Sequence, residues 1–229
     1  MERLAQRADI PRGGRVLDIG CGVGGSALWL AEKFHCEVTG ITISPVQARL
    51  AAAKGRARGL SDRVQFQVQD ANQWQPEPAS VDVIWILESS EHFRDKPNFF
   101  ERCARAVKPG GVLAVCAWLR RDGPLRENER SLVNTIAEAM LSASLGSLSD
   151  YRQWMRDAGL TVNVADDITR NVAPTWSHCS RIGHNAAIRF FLRFTDQPTQ
   201  RFVRSFPLMQ QAYAQGAMAF GIFVASKST

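Results

Sequence analysis

The segment RVLDIGCGVGG, residues 15–25, decides the fold. A short apolar run, Arg15–Ile19, leads into alternating glycines, and the segment Ser26–Phe34 after them has helical periodicity. Glycine has no Cβ, so such a loop can turn sharply and lie close to a ligand. A glycine-rich loop between a strand and a helix, at the first βα turn of a chain, is typical of nucleotide-binding α/β folds.

The rest of the chain alternates between strand-like and helix-like segments. Further strands are predicted at Glu37–Ile43, Val64–Gln69, Val81–Leu87, Val112–Trp118, Thr161–Ile168 and Ala217–Ser226. Helix-length segments between strands predict an α/β fold with a doubly wound, mostly parallel seven-stranded sheet. We expect one structural domain, divided into a cofactor-binding core at 1–120, a helical cap with one core strand at 121–216, and a final core strand at 217–229.

The predicted helices are strongest after the second strand. Ser44 is a predicted N-cap, Pro45 occupies the first helical position, and Gln47 completes a capping box, with Gly59 as the stop. Helical patterns in the second half of the chain cover Glu127–Leu145, Ser149–Ala158, Ser180–Phe194 and Thr199–Gln215.

The net charge of +6 is concentrated near the end of the chain. Residues 170–229 contain seven basic residues and one acid, Asp196, whereas residues 1–169 are balanced. A basic excess suggests an anionic partner, but no RNA-binding module accompanies it, so nucleic acid is not expected. The five cysteines form no C-x-x-C pair, and there is no secretory signal or membrane-spanning apolar run. We therefore expect a cytoplasmic protein without a disulfide framework or a metal site.

Asp18 distinguishes between the possible ligands of the glycine loop. A dinucleotide site would use G-x-G-x-x-G, which fits here only as Gly20, Gly22 and Gly25. A carboxylate two residues before the loop suits instead a ligand with a cationic amine, such as the amino-acid end of S-adenosylmethionine.

Five motifs in order, LDIGCGVGG, GITISPVQ, FQVQDA, ESSEHF and KPGG, resemble class I S-adenosylmethionine-dependent methyltransferases. Within that class the sequence most resembles the branch of the γ-tocopherol C-methyltransferases. The resemblance continues in Asn171–Trp176 and in the stretch Tyr213…Gly216…Phe220, so it covers nearly the whole chain.

The resemblance implies a set of cofactor-binding positions. The methionine end would contact Asp18, Gly20, Cys21, Gly22 and Gly24. The ribose edge would contact Thr42, Ile43, Ser44 and Gln47, and the adenine would contact Asp70 and Ala71. Leu87 and Glu88, at the end of the fourth strand, complete the set. Two alternatives remain open, since Ser44 and Gln47 also fit a capping box and Asp70 also fits a turn.

A polar strip, residues 88–92, follows the fourth strand. Strands one and four are neighbours in a doubly wound sheet, so the strip should face the same crevice as the glycine loop. Methyl transfer from a sulfonium needs orientation and, at most, a base for the acceptor proton. Glu91 and His92 are the candidate catalytic residues; the alternative is that Glu88 or His92 caps the following helix.

Arginines and phenylalanines recur at helical spacing near the end of the chain, at Arg189, Phe190, Arg193, Phe194, Arg201, Phe202, Arg204 and Phe206. One interpretation is that the phenylalanines pack on the core while the arginines extend into water. The other is an acceptor pocket with a basic rim, or contact with an anionic membrane surface. Trp118, Trp176 and His178 are the candidate residues of the substrate pocket.

The resemblance implies C-methylation of a small aromatic or prenylated, lipophilic acceptor, with S-adenosyl-L-homocysteine as the second product. O- or N-methylation of another natural product or glycoside is an alternative. Relatives have a longer segment before the first strand than Met1–Gly14, so the resemblance also leads us to expect an incomplete lid, and hence a binding module without turnover as a third alternative. Peripheral membrane contact is compatible with the basic segment, and no obligate protein partner is indicated.

Overall fold

The predicted alternation of strands and helices forms a seven-stranded sheet in the computed structural model. The strands are β1 (Arg15–Ile19), β2 (Glu37–Thr42), β3 (Val64–Val68), β4 (Val81–Leu87), β5 (Val107–Arg120), β6 (Thr161–Asp167) and β7 (Met218–Ser226). Their spatial order is β3-β2-β1-β4-β5-β7-β6. Strand β1 pairs in parallel with both β2 and β4, so the order of winding reverses beside β1. The doubly wound, mostly parallel sheet is thus confirmed.

The helices are α1 (Glu2–Ala8), α2 (Gly25–Phe34), α3 (Pro45–Ala57), α4 (Lys96–Ala106), α5 (Glu127–Ala139), α6 (Leu148–Asp157), α7 (Thr169–His184), α8 (Ala186–Leu192), α9 (Gln197–Arg204) and α10 (Phe206–Ala214). A single 3₁₀ turn covers Ser90–His92. The structure describes the backbone of the whole chain and all side chains except those of residues 182–184, 186, 187 and 189. The arginine predicted at position 189 therefore lies outside the described side chains.

The helical half of the chain differs from its prediction in four places. The predicted helix Ser180–Phe194 is divided at Asn185 between α7 and α8, and α8 ends at Leu192. Helix α5 ends at Ala139 rather than Leu145, and Leu141 has a left-handed φ of 56°, which no α-helix continues through. The segment that contains Asn171–Trp176 is part of a sixteen-residue helix, α7, that sequence periodicity did not predict. The predicted helix Thr199–Gln215 is divided at Ser205, because Pro207 lacks an N–H and begins a new helix, α10, instead.

The chain forms two compact units. Unit 1 comprises Met1–Ala117, Tyr151–Asp166 and Ile222–Thr229, and contains the glycine loop. Unit 2 comprises Trp118–Asp150 and Asp167–Gly221, and contains α5 and α7 to α10. The description of the chain as one structural domain divided at residues 120 and 216 stays a prediction.

The core of unit 1 is built on β4. Its central residues Val83–Ile86 are fully buried, as expected for a strand covered on both faces. The Trp85 ring packs 6.4 Å from the Trp29 ring of α2, so Trp85 belongs to this core. Packing on both faces fixes the end of β4, where the polar strip begins.

The carboxyl ends of β1 and β4 are held together at Gly20. Ser89 Oγ donates a hydrogen bond to the carbonyl of Ile19 at 2.6 Å. Gly20 has a φ of +79°, and a Cβ at this position would overlap with the Ser89 side chain, 2.6 Å from its Oγ and closer still to its Cβ. Both the backbone conformation and the close approach therefore require glycine at position 20.

Gly20→Ala should lower the free energy of unfolding by about 3 kcal/mol, since a Cβ at positive φ costs about 1–2 kcal/mol and overpacking against Ser89 a similar amount. Gly13→Ala is the matched control, because Gly13 has a φ of +74° and open space around its Cβ position. That variant should lose only the conformational part, about 1 kcal/mol. Urea unfolding measures both losses, and equal losses would contradict the close approach to Ser89.

Candidate active site

Asp18, on β1, accepts hydrogen bonds from the amino end of helix α2. The carboxyl group is 1% exposed. Its Oδ2 accepts a hydrogen bond of 2.6 Å from Ser26 Oγ, and the carboxylate also accepts one from the backbone N–H of Ala27. These residues lie in the first turn of α2, where backbone N–H groups lack partners within the helix. Asp18 thus fixes the glycine loop between β1 and α2.

Burial raises the pKa of Asp18 to about 7, because desolvation outweighs the hydrogen bonds from Ser26 and Ala27 that stabilise its charge. Among the described side chains, none with a positive charge forms an ion pair with Asp18. A cation placed beside the loop would stabilise the ionised carboxylate. The site therefore fits a ligand that carries positive charge, as the amino and sulfonium groups of S-adenosylmethionine do.

The rest of the glycine loop is anchored to β2 and β3. The backbone N–H of Cys21 donates to the carbonyl of Ile41 at 3.0 Å. Gly22 and Gly24 have φ values of +54° and +81°, and a Cβ at Gly24 would lie 2.8 Å from the ring of Phe66. The loop is therefore held close to the carboxyl ends of its neighbouring strands.

The predicted ribose positions form a hydrogen-bonded group at the end of β2. Ser44 Oγ accepts from the backbone N–H of Gln47 at 3.3 Å, so the predicted N-cap is confirmed. The reciprocal half of the capping box is wrong, because the Gln47 side-chain oxygen accepts instead from Thr42 Oγ1 at 2.8 Å. Thr42 is buried, whereas the next residue, Ile43, is 72% exposed. The Thr42–Gln47 pair thus lies where ribose binding is predicted.

The predicted adenine positions lie in a turn after β3. Asp70 Oδ1 accepts from the Asn72 backbone N–H at 2.8 Å, and hydrogen bonds from Asn72 and Gln73 lower the pKa of Asp70. The carbonyl of Ala71 accepts from the guanidinium of the buried Arg102 at 3.0 Å. Asp70 is therefore a turn residue, as the alternative interpretation predicted, and its contact with adenine stays a prediction.

The end of β4 contains a strained residue beside the glycine loop. Leu87 is half-buried, and Glu88 is exposed with a φ of +52°, which is uncommon for a residue other than glycine. The backbone N–H of Glu88 donates to the carbonyl of Cys116 on β5 at 2.9 Å. Such strain persists only where the surroundings hold it, and it is enriched at functional sites.

The two candidate catalytic residues have different surroundings. Glu91 is 1% exposed and acts electrostatically on Lys96, which is also buried. Burial lowers the pKa of Lys96 to about 8, and the charge of Glu91 opposes that change. Burial and Glu91 together raise the pKa of Tyr151, whose hydroxyl forms a hydrogen bond of 2.7 Å with Ser90 Oγ. His92, by contrast, is exposed.

The predicted substrate-pocket tryptophans contact each other within unit 2. The rings of Trp118 and Trp176 meet edge to face at 5.8 Å, and the Trp176 ring lies 6.2 Å from the rings of Phe206 and Tyr213. Trp176 is 7% exposed, and its indole N–H is buried with no hydrogen-bond acceptor among the described residues. His178, two residues later, is exposed.

Three residues that sequence reasoning missed complete these sites: Ser26, Lys96 and Tyr151. A hydroxyl in the first turn after the glycines is a signal that could have pointed to Ser26. Lys96 and Tyr151 carry no such local signal, because their partners follow from tertiary packing. Within the described part of the chain, no cluster of three or more His, Cys, Asp or Glu could hold a metal ion.

Comparison with known proteins agrees with this arrangement. A family described as methyltransferase domain matches residues 16–111. The 2-methyl-6-phytyl-1,4-hydroquinone methyltransferase of Synechocystis is 32% identical over 231 residues, which cover 94% of this chain and 69% of that protein. The chloroplastic tocopherol O-methyltransferase of Arabidopsis thaliana is 32% identical over 218 residues, covering 93% of this chain and 63% of that protein.

The fold is also found in a solved structure. A geranyl diphosphate C-methyltransferase from Streptomyces coelicolor A3(2), solved with S-adenosyl-L-homocysteine, aligns with a TM-score of 0.79 at 21% identity. The alignment covers 99% of this chain and 74% of that one.

Fold, glycine loop and relatives together define a class I methyltransferase. The chain belongs to the S-adenosylmethionine-dependent methyltransferase family and is related to its tocopherol methyltransferase branch. The methyl donor of that family is S-adenosylmethionine. The chain spans less than two thirds of the length of the tocopherol methyltransferases that it matches.

The raised pKa of Asp18 predicts a pH-dependent stability of the chain without donor. Its pKa rises from an ordinary 3.8 to about 7 on folding, so its contribution to stability is present below about pH 4 and lost as the pH rises through 7. Urea unfolding should show a loss of roughly 2–3 kcal/mol from this group between pH 5 and pH 8.

Asp18→Asn should remove that part of the pH dependence. The matched control Asp62→Asn, which changes an exposed acid of the same unit, should keep it. An unchanged pH dependence in Asp18→Asn would contradict the burial of an unpaired carboxylate at this position.

Proposed function

We propose that this chain transfers a methyl group from S-adenosylmethionine to a ring carbon of a small, lipophilic aromatic acceptor. The observation that carries the proposal is the buried Asp18 carboxylate, with its pKa raised to about 7, beside three glycines at positive φ. This is a site that favours a cation and lets a ligand lie close to the backbone. The family membership of the chain gives that cation its identity.

The donor would be held by the residues at the carboxyl ends of β1, β2 and β3. Asp18 and the glycine loop would bind the methionine end, the Thr42–Gln47 pair the ribose, and the turn at Asp70 and Ala71 the adenine. When bound, the cofactor supplies a methyl group that is already activated on a sulfonium. The chain itself has to orient the acceptor, exclude water and accept one proton.

The aromatic acceptor is supported by the ring cluster of unit 2. Trp118, Trp176, Phe206 and Tyr213 provide aromatic surface, and the buried indole N–H of Trp176 has no acceptor among the described residues. Leaving a buried N–H of this kind without a hydrogen-bond acceptor costs about 1–3 kcal/mol. The Synechocystis relative is named for a phytyl hydroquinone, which combines an aromatic ring, phenolic oxygens and a lipophilic chain.

We assign the acceptor proton to His92 in preference to Glu91. Carbon methylation adds a methyl group to the ring and removes one ring proton, so a base must be exposed to the acceptor. His92 is exposed at the end of β4, whereas Glu91 is enclosed beside Lys96. Glu91 would then hold the 3₁₀ turn, Ser90–His92, that presents the imidazole.

Methylation of oxygen is the second candidate reaction. It is supported by the name of the Arabidopsis relative, a tocopherol O-methyltransferase. A phenolic oxygen is a better nucleophile than a ring carbon once it has lost its proton, and the same base would remove that proton. The two reactions differ only in which acceptor atom faces the methyl group.

The proposal is tested with methyl-labelled donor and a panel of acceptors. A prenylated hydroquinone should accept the label on a ring carbon, located in the product by NMR, while a prenyl alcohol without a ring should accept none. If the label is found on a phenolic oxygen, the reaction is oxygen methylation and carbon methylation is contradicted. Donor binding by calorimetry without transfer to any acceptor would contradict an enzymatic role and favour a binding module.

Variants of the two candidate bases separate catalysis from positioning. His92→Gln should slow single-turnover transfer by about 10²-fold with donor affinity near wild type. Glu91→Gln should lower the free energy of unfolding by roughly 3 kcal/mol, because it removes a negative charge that stabilises the ammonium group of the buried Lys96. Glu91→Gln/Lys96→Met should recover much of that stability. A Glu91→Gln variant with native stability and a 10²-fold slower rate would contradict this assignment.

A further inference from the structure

We propose that helices α8 and α9 carry a docking surface for anionic lipid bilayers. Its apolar part is the aromatic patch, which we define as Phe190, Phe191 and Phe194. The proposal does not depend on methyl transfer, because the surface lies within unit 2 and its test needs neither donor nor acceptor.

The aromatic patch is exposed and continuous. Phe190, Phe191 and Phe194 are 54%, 67% and 76% exposed. The ring of Phe190 lies 5.9 Å from that of Phe191 and 5.4 Å from that of Phe194, so the three rings form one surface. Single exposed apolar side chains are common, but a contiguous group of large ones is typical of an interaction site.

The structure thereby decides between two interpretations of the arginine and phenylalanine pattern. Packing of the phenylalanines on the core is wrong for the aromatic patch and for Phe202, which is 44% exposed on a helix with no buried residue. Of these phenylalanines, only Phe206 packs as that interpretation predicts, since it is half-buried and contacts Trp176. Unit 2 therefore presents most of these rings to solvent.

Arginines accompany these rings along the chain. Arg193, Arg201 and Arg204 are exposed, and among the described side chains none of them forms an ion pair. The only acid in residues 170–229 is Asp196, whose carboxylate accepts a hydrogen bond of 2.8 Å from the Thr199 N–H at the start of α9. This stretch of unit 2 thus carries exposed rings and a net positive charge, which complements anionic lipid headgroups.

A bilayer fits this surface better than other occupants. In a symmetric dimer the patch would face its own copy, and the arginines would repel each other. Single-stranded nucleic acid stacks its bases on separate aromatic faces, whereas these rings pack on each other at 76° and 70°. Among the described residues, no helix is long and apolar enough to cross a membrane, so contact would be at the bilayer surface.

Cosedimentation of the full chain with vesicles tests the proposal. The chain should bind vesicles of phosphatidylcholine mixed with phosphatidylglycerol, and bind vesicles of phosphatidylcholine alone at least about tenfold more weakly. Binding should weaken as salt is added. Phe191→Ser/Phe194→Ser should lower the partition onto anionic vesicles by about tenfold or more. Arg201→Gln/Arg204→Gln should lower it by a similar factor.

The matched control is Leu50→Ser, which changes an apolar side chain that is 49% exposed in unit 1 and should leave binding unchanged. Thermal melting and donor calorimetry establish that each variant is folded. The proposal is overturned if wild type binds neither kind of vesicle, or if the phenylalanine variant binds as wild type does. It is also overturned if that variant instead dissociates a dimer in sedimentation, or if the chain binds RNA and not vesicles.

Discussion

The carboxylate of Asp18 is the contact on which the cofactor-binding end of the sheet depends. It accepts hydrogen bonds from the Ser26 hydroxyl and the Ala27 N–H, and so connects β1 to the first turn of α2 across the glycine loop. The burial that holds this contact in place also disfavours the negative charge of the Asp18 carboxylate. A closed helix end thereby favours positive charge beside the glycine loop, and in the proposed site a sulfonium-bearing donor would supply it.

The polar strip after β4 shows how one sequence motif serves two purposes. Its inner residues are structural: Ser89 holds the carbonyl of Ile19, Ser90 contacts the hydroxyl of Tyr151, and Glu91 balances Lys96. Glu88 and His92 are exposed at the same strand end. The buried contacts fix the turn, and in the proposed reaction a fixed turn would orient the exposed His92 toward the acceptor.

Much of the fold follows from local patterns, because the order of strands along the chain, the glycine loop and the N-cap at Ser44 depend on neighbouring residues. Strand β5 is an exception in length, since it runs from Val107 to Arg120 rather than over the predicted Val112–Trp118. The partners of the site residues do not follow from local patterns, since Ser90 and Tyr151 are 61 positions apart and meet only through packing. Gln47 is different, because its partner is local: its side-chain oxygen accepts a hydrogen bond from Thr42, five positions earlier, instead of bonding to the N-cap backbone. In unit 2, helices α8 to α10 have only seven to nine residues and α7 contains Pro174 within the helix, so periodicity misplaced their bounds.

Donor binding should place a positive charge beside the buried carboxylate of Asp18. Calorimetric titration of S-adenosylmethionine in buffers of different ionisation enthalpy tests it directly. Between about pH 5 and pH 6, binding should release about one proton, because the donor returns the pKa of Asp18 toward its ordinary range; above about pH 8 the release should vanish. Asp18→Asn should bind the donor more weakly and release none. Proton-independent binding by wild type, or undiminished affinity in the variant, would contradict the account.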